Sequence, residues 1–165
     1  MVIFGVTLST SDLWLLGICG ALVMSWVTYR FAIALKNRDN FYKAAKELTD
    51  TFHRELKEIY PIPANWPENI DYYLRSRFHS LSEAVGNFKR HLPRGKRESF
   101  DEAWFRFYCC TGREVDRNCQ CYHHYMPFSG VSVVDSKEIH EDNTKTYKEN
   151  FKRNVETLLN FARHK

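Results

Sequence analysis

The chain has 165 residues, of which 44% are hydrophobic, 27% charged and 15% aromatic, with only 7 Gly and 5 Pro. That balance excludes disordered, collagen-like and low-complexity chains and suits one domain of ordinary size. The net charge of +4 and the mean hydropathy of -0.50 hide an asymmetry: Asp12 is the only charged side chain before Arg30, so residues 1–29 carry −1 and the rest +5.

Residues 1–12 are too few to form a domain. From Leu13 to Tyr29 run 17 residues without a formal charge; Arg30 interrupts them, and Phe31 to Leu35 resume the apolar run. As a helix the uninterrupted part is about 25 Å long and the whole of 13–35 about 34 Å, at about 1.5 Å per residue. A hydrocarbon core of about 30 Å lies between those lengths. Trp14 at one end, with Trp26 and Tyr29 at the other, matches the aromatic belts of bilayer interfaces, and Arg30 is near enough to one end to snorkel. The pattern predicts a transmembrane helix over 13–35. A cleaved signal peptide fits less well, because residues 1–11 lack Lys and Arg. A buried core helix would carry a polar face, and this run has none. Arg30, Lys36, Arg38, Lys43 and Lys46 all follow the span. The positive-inside rule therefore predicts an N-terminus outside and a cytoplasmic C-terminal part, 36–165. Gly17, Ala21 and Ser25 recur every four residues, a small-residue face suited to self-association or simply to lipid.

Beyond the span, Phe41, Ala44, Ala45, Leu48, Phe52, Leu56 and Ile59 fall at spacings of three and four. They predict an amphipathic helix over about 39–60, either continuous with the anchor or restarted by a cap at Asp39-Asn40. Pro61, Pro63 and Pro67 end it, with Trp66 among them expected to cover the core. A second helix is expected over about 68–92, with Ile70, Leu74, Arg77/Phe78, Leu81, Val85, Phe88 and Leu92 on its face and Pro93 as its stop. A third, aromatic helix is expected to open at the Ser99-Phe100-Asp101-Glu102 capping box and to end near Cys110. Residues 111–142 lack a helical period and read as one long irregular loop, in which Val131, Val133 and Val134 could form a strand without a partner. The last helix is expected over about 144–162. The fold class is all-α: a transmembrane helix followed by a small antiparallel helical bundle.

One dense cluster has the ligand types of a zinc site: Cys109, Cys110, Cys119, Cys121, His123 and His124. Its C-C and C-x-C pairs differ from the C-x2-C spacing of zinc ribbons. Free thiols in a helix end and loop, zinc ligation and disulfides are the three readings, and Cys19 sits in the span. Lys89, Arg90, His91, Arg94, Lys96 and Arg97 form a basic run between two helices, readable as a solvated turn or as a contact to anionic lipid. Aromatic residues do not interleave with it and the domain's charge is modest, which argues against nucleic acid. Neither a P-loop, nor G-x-S-x-G, nor H-E-x-x-H is present. Asp101 and Glu102 are accounted for by the acidic preference of a helix start. A catalytic reading would need His123, His124 or His140 gathered against a carboxylate such as Glu138 or Glu141.

The segments Tyr60-Pro61-Ile62-Pro63-Ala64-Asn65-Trp66-Pro67, Phe100 to Tyr108 and Asn154 to Ala162 together resemble small, uncharacterised bacterial proteins with an N-terminal single-pass anchor. The resemblance spans most of the chain. It implies a bacterial inner-membrane location, carries no established activity and transfers no catalytic residue; the Cys/His run is not part of it. The expectation is a non-enzymatic, single-pass protein. Its helical domain scaffolds a protein partner or self-associates as a homo-oligomer at the cytoplasmic face of the bilayer. The alternatives are a zinc- or redox-responsive tethered module and a membrane-acting effector.

Overall fold

The structure, a computed structural model, describes residues 2–3, 6–7, 10–109, 120–134 and 137–163. The all-α class holds: four helices carry the described chain, with two short hairpins beside them. Two compact units divide it, Met1–Asn40 and Phe41–Lys165.

The first unit opens with β1 (Val2–Ile3) and β2 (Val6–Thr7), paired antiparallel. Helix α1 (Thr10–Glu55) follows and extends into the second unit. No break occurs at Asp39-Asn40, because strong helix formers on both sides carry the turn through. Among the described side chains of α1 in the first unit, the large apolar ones, Trp14, Ile18, Leu22, Met24, Trp26, Tyr29 and Phe31 among them, are exposed. This is one helix long and apolar enough to cross a membrane, near the N-terminus, with none of its apolar window buried. Thr28 donates its hydroxyl to the Met24 carbonyl at 2.8 Å, so it brings no unsatisfied donor into an apolar setting. The Arg30 guanidinium lies 5.6 Å from the Trp26 ring centre.

The second unit is built on amphipathic helices. The predicted stripe Phe41, Ala44, Ala45, Leu48 and Phe52 is buried, and Leu56 and Ile59 continue it past the end of α1. Helix α2 (Ile70–His91) starts two residues later than predicted, because the Asn69 side chain caps it by accepting from the Tyr72 N–H at 2.9 Å. Ile70, Leu74, Leu81, Val85 and Phe88 enter the core. Arg77, placed by its spacing on the apolar face, is half-buried. It donates to the Glu55 carbonyl at 2.9 Å and lies 3.6 Å from the Tyr73 ring centre. It thus satisfies an orphan carbonyl at the end of α1.

Helix α3 (Arg94–Tyr108) corrects the predicted start at Ser99. Leu92 and Pro93 interrupt the helix for two residues and Arg94 resumes it. Ser99 therefore sits in a turn that is already wound, and its capping box is not the N-terminus. Arg97 explains why so short a connection holds: it donates to the carbonyls of Leu92 and Arg90, each at 3.0 Å. Replacing Arg97 with alanine is expected to destabilise the unit by about 1–2 kcal/mol. Lysine, lacking the planar fork, should recover only part of that in thermal unfolding.

The predicted irregular stretch also needs correction. A 3-10 turn at His123–Tyr125 is followed by β3 (Ser129–Val134) and β4 (Lys137–Asp142), antiparallel from Ser129↔Asp142 to Val134↔Lys137. The valine strand has a partner after all, supplied by a segment rich in charge. Asn143 closes its base: its side chain accepts from the Phe128 N–H at 2.6 Å, and its own N–H donates to the Phe128 carbonyl at 2.9 Å. Asp142 then accepts from the Thr144 N–H and hydroxyl at 3.0 and 2.6 Å, which holds its carboxyl below the usual range. This turn uses up 142–146, so α4 begins at Tyr147 (Tyr147–Arg163) rather than at Thr144. Phe151, Val155, Leu158 and Leu159 of α4 complete the core. Trp66, as expected of it, covers that core edge-on to Tyr147 and Phe151.

Candidate functional site

Gly17, Ala21 and Ser25 all lie in α1 at helical spacing. Ala21 and Ser25 are exposed, as is Cys19. An added Cβ at neighbouring Gly20 would meet nothing within 4 Å, so within this unit the backbone there is open to close approach.

The basic run is partly consumed by local structure. Lys89 pairs with Asp101 across the α2–α3 connection at 2.6 Å, Arg90 donates to Asn87 at 2.9 Å, and Arg97 holds the end of α2. Arg94 and Lys96 are exposed in the first turn of α3, and His91 is exposed at the end of α2. Lys89, Arg90 and Arg97 thus serve the α2–α3 connection first.

A cavity of about 330 Å³ that sequence reasoning missed lies on the outer face of α3, lined by Glu98, Asp101, Glu102, Trp104, Phe105 and Tyr108. Positions 98, 101, 102, 105 and 108 form one stripe at helical spacing, which could have revealed it. The Trp104 ring is stacked at 17° on Phe78 and at 14° on Phe107, so it belongs mainly to the packing behind the cavity.

The Cys/His run is described in part. Cys110 and Cys119 lie outside the described residues, as do the side chains of Glu138, His140 and Glu141. Cys109, at the end of α3, is buried; Cys121 is half-buried and forms a parallel β-bridge with it. His123 is exposed. His124 departs from the solvated histidine expected of a polar loop: burial lowers its pKa to about 4, against an opposing contribution from the Arg106 backbone and with a small further lowering by His123. Neither His124 ring nitrogen has a hydrogen-bond partner in good geometry, and the same is true of the Tyr122 hydroxyl and the Gln120 side-chain oxygen. Burial also pushes the Tyr122 hydroxyl pKa well up. Arg75, paired with Asp71 at 2.6 Å, donates to the Gln120 carbonyl and anchors the start of this segment. Tyr125 is fully satisfied: its hydroxyl donates to the Phe107 carbonyl at 3.0 Å and accepts from Asn154 at 2.9 Å. Among the described residues, no three His, Cys, Asp or Glu side chains come together as a metal site. No family model, curated protein or solved structure matches the chain.

Proposed function

We propose that the protein is a single-pass membrane anchor carrying a helical interaction unit, non-enzymatic, which holds a protein partner or sister copies at the cytoplasmic face of a bacterial inner membrane. One observation carries the reading: from Ile18 onward the described large apolar side chains in the membrane-length part of α1 are exposed, and the helix is long and apolar enough to suit a bilayer. In water each fully exposed Leu, Ile or Phe forgoes about 1.5–3 kcal/mol of burial, and lipid restores it. The cytoplasmic orientation rests on Arg30, Lys36, Arg38, Lys43 and Lys46 following the span. Self-association rests on the Gly17, Ala21 and Ser25 face, and contact with anionic lipid on the outward Arg94 and Lys96.

Fractionation of bacteria expressing the full chain tests the anchor. The protein is expected in the membrane pellet after alkaline carbonate washing, and a C-terminal fluorescent reporter is expected to be active while a C-terminal alkaline phosphatase is not. Two differently tagged copies extracted in mild detergent are expected to co-purify and to separate when Ala21 is replaced by leucine. Recovery in the detergent-free supernatant would overturn the anchor, and active phosphatase would overturn the orientation.

A further inference from the structure

Two cysteines far apart in sequence are set opposite each other by the backbone. Cys109 leaves α3 in an extended conformation, φ −130° and ψ 121°. The Cys121 N–H donates to the Tyr108 carbonyl at 2.8 Å, and Cys109 and Cys121 are bridge partners. Strands paired in this way lie about 4.8 Å apart with opposed residues facing the same side. A disulfide needs Cα atoms about 4.4–6.8 Å apart and Cβ vectors that converge. Both residues are in the thiol form, Cys109 buried and Cys121 half-buried. Of the pair, Cys121 is the more exposed residue and Cys109 the sheltered one.

We propose that Cys109 and Cys121 form a reversible disulfide site, closed by low-molecular-weight disulfides and reopened by small thiols. The more exposed Cys121 attacks first, as its thiolate. Its sulfur bonds to one sulfur of the small disulfide, the S–S bond of that molecule breaks, and its other half departs as a thiolate. Cys109, deprotonated in turn, attacks the Cys121 Sγ, breaks the mixed disulfide and expels the second half. Two protein thiols are oxidised, one small disulfide is reduced to two thiols, and the protons lost by the cysteines end on the released thiols. The new bond closes a loop of 13 residues. It clasps the end of α3 to the segment that places Tyr122 and Tyr125 in the core, so oxidation stiffens the unit through packing already in place. The inference is independent of the membrane reading, since it rests on the Phe41–Lys165 unit alone.

Cys110 and Cys119 are near in sequence and must be separated from the pair. The test uses the full chain in detergent with Cys19→Ser, Cys110→Ser and Cys119→Ser, incubated with oxidised glutathione. The expected result is loss of two thiols without dimer formation, with the tryptic peptide 107–113 joined to 118–137. A rise in Tm of about 5–10 °C should accompany it and be reversed by dithiothreitol. Cys121→Ser, and separately Cys109→Ala, each added to that same background, should abolish the rise. A persistent glutathione adduct, unchanged thiols, a disulfide between chains, or a rise that survives Cys109→Ala would overturn the proposal.

Discussion

Replacing Phe107 with alanine is expected to cost about 3–5 kcal/mol, the range for truncating a buried phenylalanine. In thermal unfolding this corresponds to a fall in Tm of about 10–20 °C for a unit of this size. Phe107 is fully buried, with ring centres of Phe52, Trp104, Tyr122, Tyr125 and Phe151 at 5.9, 5.4, 6.3, 6.2 and 6.0 Å. These neighbours come from α1, α3, α4 and the segment around the 3-10 turn. No single helix can move in to fill the void, because each is held by other contacts. The Phe107 carbonyl that receives Tyr125 belongs to the backbone and survives the substitution. The loss is therefore one of packing and not of that hydrogen bond. Half-buried Phe105 is the control, and its alanine variant should unfold within about 1 kcal/mol of the parent. A Phe107→Ala unit as stable as the parent would show that the core is not organised around this ring.

Acidification is expected to weaken the unit through His124. Its folded pKa of about 4 lies below the ordinary value of 6.5. At pH 7 the ring is mostly neutral in both the folded and unfolded states, so little stability is linked to its protonation there. As the pH falls from about 6.5 towards 4, the unfolded chain takes up a proton that the folded chain refuses, and stability falls throughout that window. The full effect has an upper bound of about 3–4 kcal/mol, from about 1.4 kcal/mol per pKa unit over the lowering, and the partial exposure of the ring brings it below that. Denaturant unfolding of the parent and of His124→Gln at pH 7 and pH 4.5 measures it: the parent should lose more stability between the two. His123→Gln, altering an exposed ring, should leave the slope almost unchanged. Identical slopes for the parent and His124→Gln would refute the assignment.

The long helices were legible because each buries one stripe at a fixed period. Phe41 to Ile59, Ile70 to Phe88 and Phe151 to Leu159 alternate apolar and charged residues as a helix requires, and those apolar positions are the buried ones. Helix ends were less legible, because they are decided by partners distant in sequence. Arg97 reaches back to Leu92 and Arg90 and starts α3 before its apparent capping box. Asn143 and Asp142 take the residues that seemed to open α4. The β3–β4 pairing was hidden because Lys-Glu-Ile-His-Glu-Asp has little of the β-branched, aromatic character that marks strands. In the candidate sites, the cysteine cluster could be seen as a composition, but which two cysteines are set opposite each other depends on a backbone bridge between positions 109 and 121. The burial of His124 beside exposed His123 has no counterpart in the local sequence, since it comes from the fold around the segment.

The ribbon formed by β3 and β4 contains two strands only, so among the described residues each keeps one outer rim of amide and carbonyl groups without a neighbouring strand. Such rims are templates for accretion of further chains, most dangerously when copies are crowded in two dimensions. In sequence, β4 carries Lys137, Glu138, Glu141 and Asp142, whereas β3, Ser129 to Val134, carries no charge. The outer backbone edge of β3 is thus the one with the least charge along its strand to oppose such accretion, and Ser132→Lys is expected to lower the insoluble fraction on overexpression.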